Sequence, residues 1–245
     1  MTVFGRRQPL VLATATKREM RAALGQGPKL PELAWSGSVE WRWQGWPLRL
    51  LVSGVGPINA ALSMGRLLGE HPEVLGVLNV GIAGSFEPER LPLRQLAVVQ
   101  EEIWPEYGLI TEQGLEAEKL GCPLGKSLDG WVFDRLRLDW RQDAAALGLT
   151  LSDDWPRATS LSVAGVSGCS QRAEALQSRY QAELENMEGF ALAWACRQAG
   201  RPFVEVRSVS NRVGSRKGSD WDIPGALAVL AESLPVLLSG LGREG

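Results

Sequence analysis

The stretch ELENMEGFALAWACRQAGRPFVEVRSVSN, from Glu183 to Asn211, constrains the fold more than any other part of the chain. A short polar-apolar alternation over Leu184 to Met187 predicts the end of a strand. Phe190 to Cys196 is almost wholly apolar and closes on Arg197, Gln198 and Gly200, which predicts a helix. Pro202 to Ser210 alternates Phe203, Val206 and Val209 with polar positions and is rich in β-branched residues, which predicts a second strand. A helix with no polar face must be buried. A strand-helix-strand unit of this kind belongs to a parallel or mixed sheet, where ligands lie at the carboxyl ends of strands. Glu188 and Asn211 are both expected at such ends.

The remaining elements follow the same rhythm. Leu10 to Ala15 predicts a buried first strand, and KREMRAALG a helix closed by Gly25, with Thr16 and Glu19 at the turn between them. Residues 25–33 are a Gly/Pro-rich loop. Two strands are expected around a turn at Gln44 to Pro47. Gly54, Gly56 and Pro57 open a helix running to about His71. Val74 to Gly84 reads as a buried strand ending in a Gly-rich turn, and Arg94 to Val99 as a further strand. Leu109 to Trp155 predicts only loops and short elements, with a helix near Asp139 to Leu147. A strand over Ala158 to Val166 and a helix over Ser170 to Tyr180 follow, with Ser170 as the N-cap. A closing helix is expected over Ile223 to Leu241, with Pro224 in its first turn and Pro235 bending or interrupting it. No internal repeat or long linker divides the chain, so one domain over 1–245 is expected.

Composition narrows the function classes. With 245 residues, 44% of them hydrophobic, and a formal net charge of −2, the chain can bury one large core and offers no basic run for nucleic acid. No apolar stretch is expected to reach the roughly 20 residues of a membrane span, and the opening segment makes a poor signal peptide. His71 is the only histidine, beside Pro72 at a helix end, which argues against a metal centre and a histidine-dependent triad. Three cysteines, Cys122, Cys169 and Cys196, match no metal spacing and suit a reducing cytoplasm. Ten tryptophans, among them Trp35, Trp41, Trp43 and Trp46 in one hairpin region, are expected in core or subunit contacts.

The segments VSGVGPINAA, LNVGIAGSF, ENMEGFALAWAC and PFVEVRSVSN stand in the order and spacing of the purine nucleoside phosphorylase and nucleosidase superfamily, which this chain resembles. Within it the chain looks most like the futalosine hydrolase family. Three features carry that likeness: Thr14-Ala15-Thr16 with a later glutamate, Ser210-Asn211 in place of Ser-Asp, and the Arg212-Val213-Gly214 loop ending at Trp221. The resemblance implies an α/β nucleoside phosphorylase-like fold, with a central mixed sheet partly closed into a barrel and flanked by helices. It implies Glu188 and Met187 at a ribose, Asn211 at a purine, the turn of Gly81, Ile82, Ala83 and Gly84 below the sugar, and Glu19 near an attacking water. It also implies a small nucleoside substrate, no cofactor, no metal and a homo-oligomer.

These residue types suit the implied chemistry. Cleaving a purine N-glycosidic bond develops positive charge at the anomeric carbon. A carboxylate accepting from both ribose hydroxyls in a dry site favours that charge, a role open to Glu188 beside the adaptable Met187. Taken alone, Glu188 is also explained as a carboxylate at a helix N-terminus. Asn211 offers one acceptor and two donor hydrogens, a pattern matching a protonated N7 and the O6 of a 6-oxo purine; taken alone it also serves as a loop cap. Where related phosphorylases bring an arginine and a Ser or Thr to phosphate, this chain has Asn79 and Ile82, which favours water activated by Glu19 as base. Glu19 is equally readable as a solvated helix residue. An aryl carboxylate on the 5′ side of the ribose calls for a cation and a flat wall. Arg216 and Trp221 are candidates, and Val166, within Val163 to Gly168, is a candidate wall for the base. Two alternatives stay open: a nucleosidase or phosphorylase for inosine, methylthioadenosine or S-adenosylhomocysteine, and a non-catalytic nucleoside-binding module.

Overall fold

The computed structural model describes residues 7–25, 32, 37–127 and 130–241. Most of the expected 25–33 loop, Trp35 and the start of the opening segment lie outside these residues. The order begins with strand β1 (Leu10–Thr14), helix α1 (Lys17–Leu24), a hairpin of β2 (Ser38–Trp43) and β3 (Trp46–Val52), helix α2 (Pro57–Glu70) and strand β4 (Gly76–Ser85). Strand β5 (Leu96–Ile103) leads to two small hairpins, β6 (Leu109–Thr111) with β7 (Gly114–Glu116) and β8 (Gly125–Ser127) with β9 (Gly130–Val132). Then come β10 (Arg135–Arg137), α3 (Trp140–Leu147), β11 (Arg157–Ser162) and α4 (Ser170–Tyr180). The chain finishes with β12 (Leu184–Asn186), α5 (Gly189–Gln198), β13 (Phe203–Arg212) and α6 (Ile223–Leu237).

The main sheet is mixed and closes on itself. Strands β5, β11, β12, β4 and β13 each pair with the next, and β13 pairs again with β5, which makes a five-stranded ring. β1 extends the sheet from the first half of β4, followed by β3 and the edge strand β2, while β10 adds to β5. Bulges between Ala158 and Thr159 and between Val209 and Asn211 supply the local twist that ring closure needs. Helices α2 and α5 cover one apolar cluster, which includes Val77, Leu192 and Phe203. Helices α1, α3 and α6 cover another, which includes Leu12, Leu147 and Leu234.

Several local expectations are corrected. Gly81 to Gly84 is not a turn: β4 runs straight through it to Ser85. Glycine is required there by packing, because a Cβ at Gly81 would sit 2.5 Å from Arg207 Nη1, and one at Gly84 would sit 2.8 Å from a Val213 methyl. β5 starts later than expected and continues to Ile103, after Arg94 with φ at 70°. β11 stops at Ser162, leaving Val166 on an exposed loop. Cys169, not Ser170, occupies the N-cap of α4. The β2–β3 turn needs only Gln44 and Gly45, both at positive φ, so Trp46 and Pro47 belong to β3. Trp41, Trp43 and Trp46 pack against the α1/α6 cluster. α6 continues through Pro235 to Leu237 and tightens into a 3₁₀ turn. Ile223 to Gly240 is also long and apolar enough to cross a membrane, contrary to the sequence expectation; here Leu227, Leu230, Leu234 and Leu237 pack into the core.

Candidate active site

Two loops and two strands converge around Glu188. The β12–α5 junction delivers the residue itself, at the N-cap of α5 with φ −131° and ψ −28°. Its side chain does not cap the helix. One oxygen, Oε1, accepts from the backbone N–H of Gly56 at 3.0 Å, and Oε2 lies 3.9 Å from Nη1 of Arg207. Gly56 holds φ at 92°, a conformation that favours glycine and aims its N–H at the carboxylate before Pro57 starts α2. Glu188 is 5% exposed. Burial raises its pKa above the usual carboxylate range; Arg207 and the Gly56 N–H oppose the shift, and Glu19 and Glu205 reinforce it.

Glu19 reaches the same place from the other side. It closes a capping box with Thr16: the Thr16 hydroxyl accepts from the Glu19 N–H, and Glu19 Oε2 accepts from the Thr16 N–H and hydroxyl. Its second oxygen accepts from the Ile82 N–H at 3.1 Å, tying α1 to β4. The solvated-helix reading is thereby excluded, since Glu19 is 5% exposed.

One residue that sequence reasoning missed is Arg207. It is 1% exposed and faces Gly81 in the β13–β4 register. Nε donates to Glu205 Oε1 at 2.6 Å, Nη1 to the Ile82 carbonyl at 3.4 Å, and Nη2 to the Asn79 amide oxygen at 3.0 Å when that amide is oriented to suit both its neighbours. Burial alone would lower its pKa, but Glu205, Glu188 and Glu102 together hold it firmly protonated. The signal was present in VEVRSVSN: Glu205 and Arg207 alternate with valines as if facing water. In fact the first eight residues of β13 are all buried, because the strand is paired on both edges and covered on both faces.

Asn211 lies three residues further along β4, opposite Gly84. Both residues fall at the carboxyl ends of their strands, as expected, Glu188 just after β12 and Asn211 next to last in β13, but β12 runs antiparallel to β4 while β13 runs parallel to it. Glu188 therefore meets the middle of β4 near Gly81 through Arg207, and Asn211 meets its end. The two levels are about 10 Å apart along the strand, a separation within the length of a nucleoside and its flanking side chains. Asn211 Oδ1 accepts from the Ser210 hydroxyl at 2.8 Å, and Nδ2 donates to the Arg212 carbonyl at 3.2 Å. Its backbone bridges Trp221. The Arg216 guanidinium lies 5.6 Å from the Trp221 ring centre. Beside them runs a cleft of about 630 Å³ lined by Phe86, Gln177, Arg212, Ser215, Arg216 and Lys217. The loop carrying Val166 abuts this segment, since the Ser167 carbonyl accepts from the Gly214 N–H. Met187 packs against the cluster that contains Phe86 and Val213. Among the described residues no group of three or more His, Cys, Asp or Glu is disposed to hold a metal ion.

Comparison with known proteins supplies the family and the fold. The model of the phosphorylase superfamily matches residues 10–237. A futalosine hydrolase of Thermus thermophilus is 32% identical over 226 residues, covering 91% of this chain and 93% of its own. One from Streptomyces coelicolor is 34% identical, covering 82% and 83%. In three dimensions the 5′-methylthioadenosine/S-adenosylhomocysteine nucleosidase of Helicobacter pylori superposes with a TM-score of 0.75 at 20% identity, covering 96% of this chain and 99% of its own, a likeness of fold. With its ring-closed mixed sheet and its match to two futalosine hydrolases over most of its length, the chain belongs to the phosphorylase superfamily and, within it, to the futalosine hydrolase family.

Proposed function

We propose that this protein hydrolyses the N-glycosidic bond of futalosine, releasing hypoxanthine and dehypoxanthine futalosine on the route to menaquinone. The observation that carries the reading is the buried Glu188 carboxylate. It is held by one backbone N–H and a guanidinium at 3.9 Å, so lone pairs remain for two ribose hydroxyls. As the sugar gains oxocarbenium character, that anion in a dry site stabilises the developing charge. Glu19 Oε1, beside Gly81, is the base for water. Asn211 reads N7 and O6 of the base, with Met187 and Val166 as apolar walls and the Gly81 to Gly84 segment beneath the sugar.

Hydrolysis rather than phosphorolysis is supported by Arg207. It is a cation beside Gly81, but it is 1% exposed and three of its five N–H donors already serve Glu205, Asn79 and the Ile82 carbonyl, which makes it a poor ligand for phosphate. The test is incubation with futalosine, inosine and methylthioadenosine, with and without phosphate. Phosphate-independent release of hypoxanthine from futalosine is expected. Phosphate dependence would overturn the hydrolase reading, preference for methylthioadenosine would make the protein a nucleosidase of the related kind, and binding without base release would make it a binding module.

The cleft beside Trp221 is assigned to the aryl carboxylate, with Arg216 as its cation. Arg216→Ala is expected to weaken futalosine turnover and spare inosine; equal loss on both counts against the assignment. The chain acts as one domain over 1–245, in the cytoplasm. Ile58 and Leu62, exposed one turn apart on α2 just after Gly56, support a homo-oligomer that covers this face. A sedimentation experiment checks it.

A further inference from the structure

The helix that carries Glu188 is capped by other side chains. Asn186 Oδ1 accepts from the N–H groups of Glu188 (2.8 Å) and Gly189 (2.7 Å), and the Ser162 hydroxyl accepts from that of Phe190 (2.7 Å). Both capping groups rest on Glu102. Its Oε1 accepts from Asn186 Nδ2 at 2.7 Å, and its Oε2 lies 2.7 Å from the Ser162 hydroxyl. Glu102 is fully buried and comes from β5. An amide has two orientations, and only one presents oxygen to the helix N–H groups. Glu102 Oε1, with Ser160 Oγ at 2.6 Å, gives the Asn186 NH₂ two acceptors and so selects that orientation.

We propose that Glu102 is a positioning residue: acting through Asn186 and Ser162, it fixes the first turn of α5 and hence the place and direction of the Glu188 carboxylate. The proposal rests on the hydrolase reading only for its kinetic arm. It also specifies how Glu102 works. The Ser162 hydroxyl, already accepting from Phe190, has one hydrogen and two acceptors in reach, Glu102 Oε2 and Asn186 Oδ1 at 3.1 Å. A proton on Glu102 completes the circuit: Glu102 donates to Ser162 and Ser162 to Asn186. A neutral Glu102 also suits its surroundings. A methyl at Gly189 would overlap both the Glu102 and Glu205 carboxyls, so two acids face one small space. The one buried guanidinium there, Arg207, is already bonded to Glu205. Glu102 thus acts as a hydrogen-bonding group, which glutamine can imitate.

The test compares Glu102→Gln, Glu102→Leu, Asn186→Asp and the double variant Glu102→Gln/Asn186→Asp. Base release and hydrogen exchange at the Glu188, Gly189 and Phe190 amides are measured in each. Glu102→Leu is expected to lower kcat about a hundredfold, the scale of a misplaced catalytic group, and to speed exchange at those three amides. Glu102→Gln should keep most of the turnover and all of the protection. Asn186→Asp turns the donor facing Glu102 Oε1 into an acceptor, draws the Glu102 proton away from Ser162 and should lower both properties. The double variant, in which the new amide donates to the new carboxylate, should restore them even if Glu102→Leu does not fold. Failure of that rescue, or equal damage from Glu102→Gln and Glu102→Leu, would overturn the proposal. If the wild-type protein cleaves no nucleoside, the hydrolase reading fails and the exchange pattern decides the proposal alone.

Discussion

Arg207 Nη1 stands 3.9 Å from Glu188 Oε2, while Nε of the same guanidinium is bonded to Glu205 at 2.6 Å. The cation is anchored to one acid and leans toward the other. Its field reaches Glu188 without occupying the lone pairs that a sugar would use. The electrostatics of the site follow from this asymmetry.

Glu188→Gln tests the anion itself. The amide keeps the shape and loses the charge that opposes the developing oxocarbenium ion. Turnover is expected to fall by about 10²–10³, the usual scale for removing one electrostatic stabiliser. The thermal midpoint should not fall, because a buried carboxylate whose charged form is penalised by burial becomes neutral. Steady-state assay and calorimetry check the two together.

Arg207→Met removes the cation and leaves Glu205 and Glu188 buried without it. Breaking such a group from one side costs about 3–5 kcal/mol, read as a lower urea midpoint. Glu205→Val in the same protein removes one orphaned acid and should recover a large part of the loss. No recovery would show that Arg207 matters through its packing.

Asn211→Asp exchanges an amide that can donate to O6 for a group that can only accept there when ionised. Release of a 6-oxo purine should fall relative to release of a 6-amino purine from the matching nucleoside. The ratio of kcat/KM for inosine and adenosine measures it, and an unchanged ratio removes Asn211 from base selection.

Stability should decline as pH rises. Burial raises the pKa of Glu102, Glu185, Glu188 and Glu205 in the folded protein. Between the ordinary glutamate value, about 4.3, and these raised values, the folded chain binds more protons than the unfolded chain. The unfolding free energy therefore falls with pH through that window and levels off above it. Glu102→Gln, which cannot ionise, should flatten the slope in urea titrations taken at several pH values.

The alternation of strand and helix was legible in the chain because apolar period and turn residues are local. Thr16 before Lys17, Pro57 after Gly56 and Asp139 before Trp140 mark helix starts that the structure keeps. The 109–155 segment was poorly legible because its strands are three residues long and hold no periodic pattern. Arg207, Glu205 and Glu102 were missed for a different reason. Period-2 alternation marks two faces of a strand and does not say whether the second face meets water or another buried layer.

The sequence by itself determined the element order outside 109–155, the glycines at Gly54 and Gly56 and the presence of one acid and one amide around a buried helix, since these depend on neighbours in the chain. Only the tertiary structure decided that β12 and β13 flank β4 in opposite directions, that Glu188 meets Gly56 from 132 positions away, and that β13 closes onto β5. Ring closure buries both faces of the joining strands, and burial turns a row of ordinary polar residues into a network of acids around one guanidinium. Local propensity carries no information about which strand closes the ring, so the electrostatics of the site exist only once it is closed.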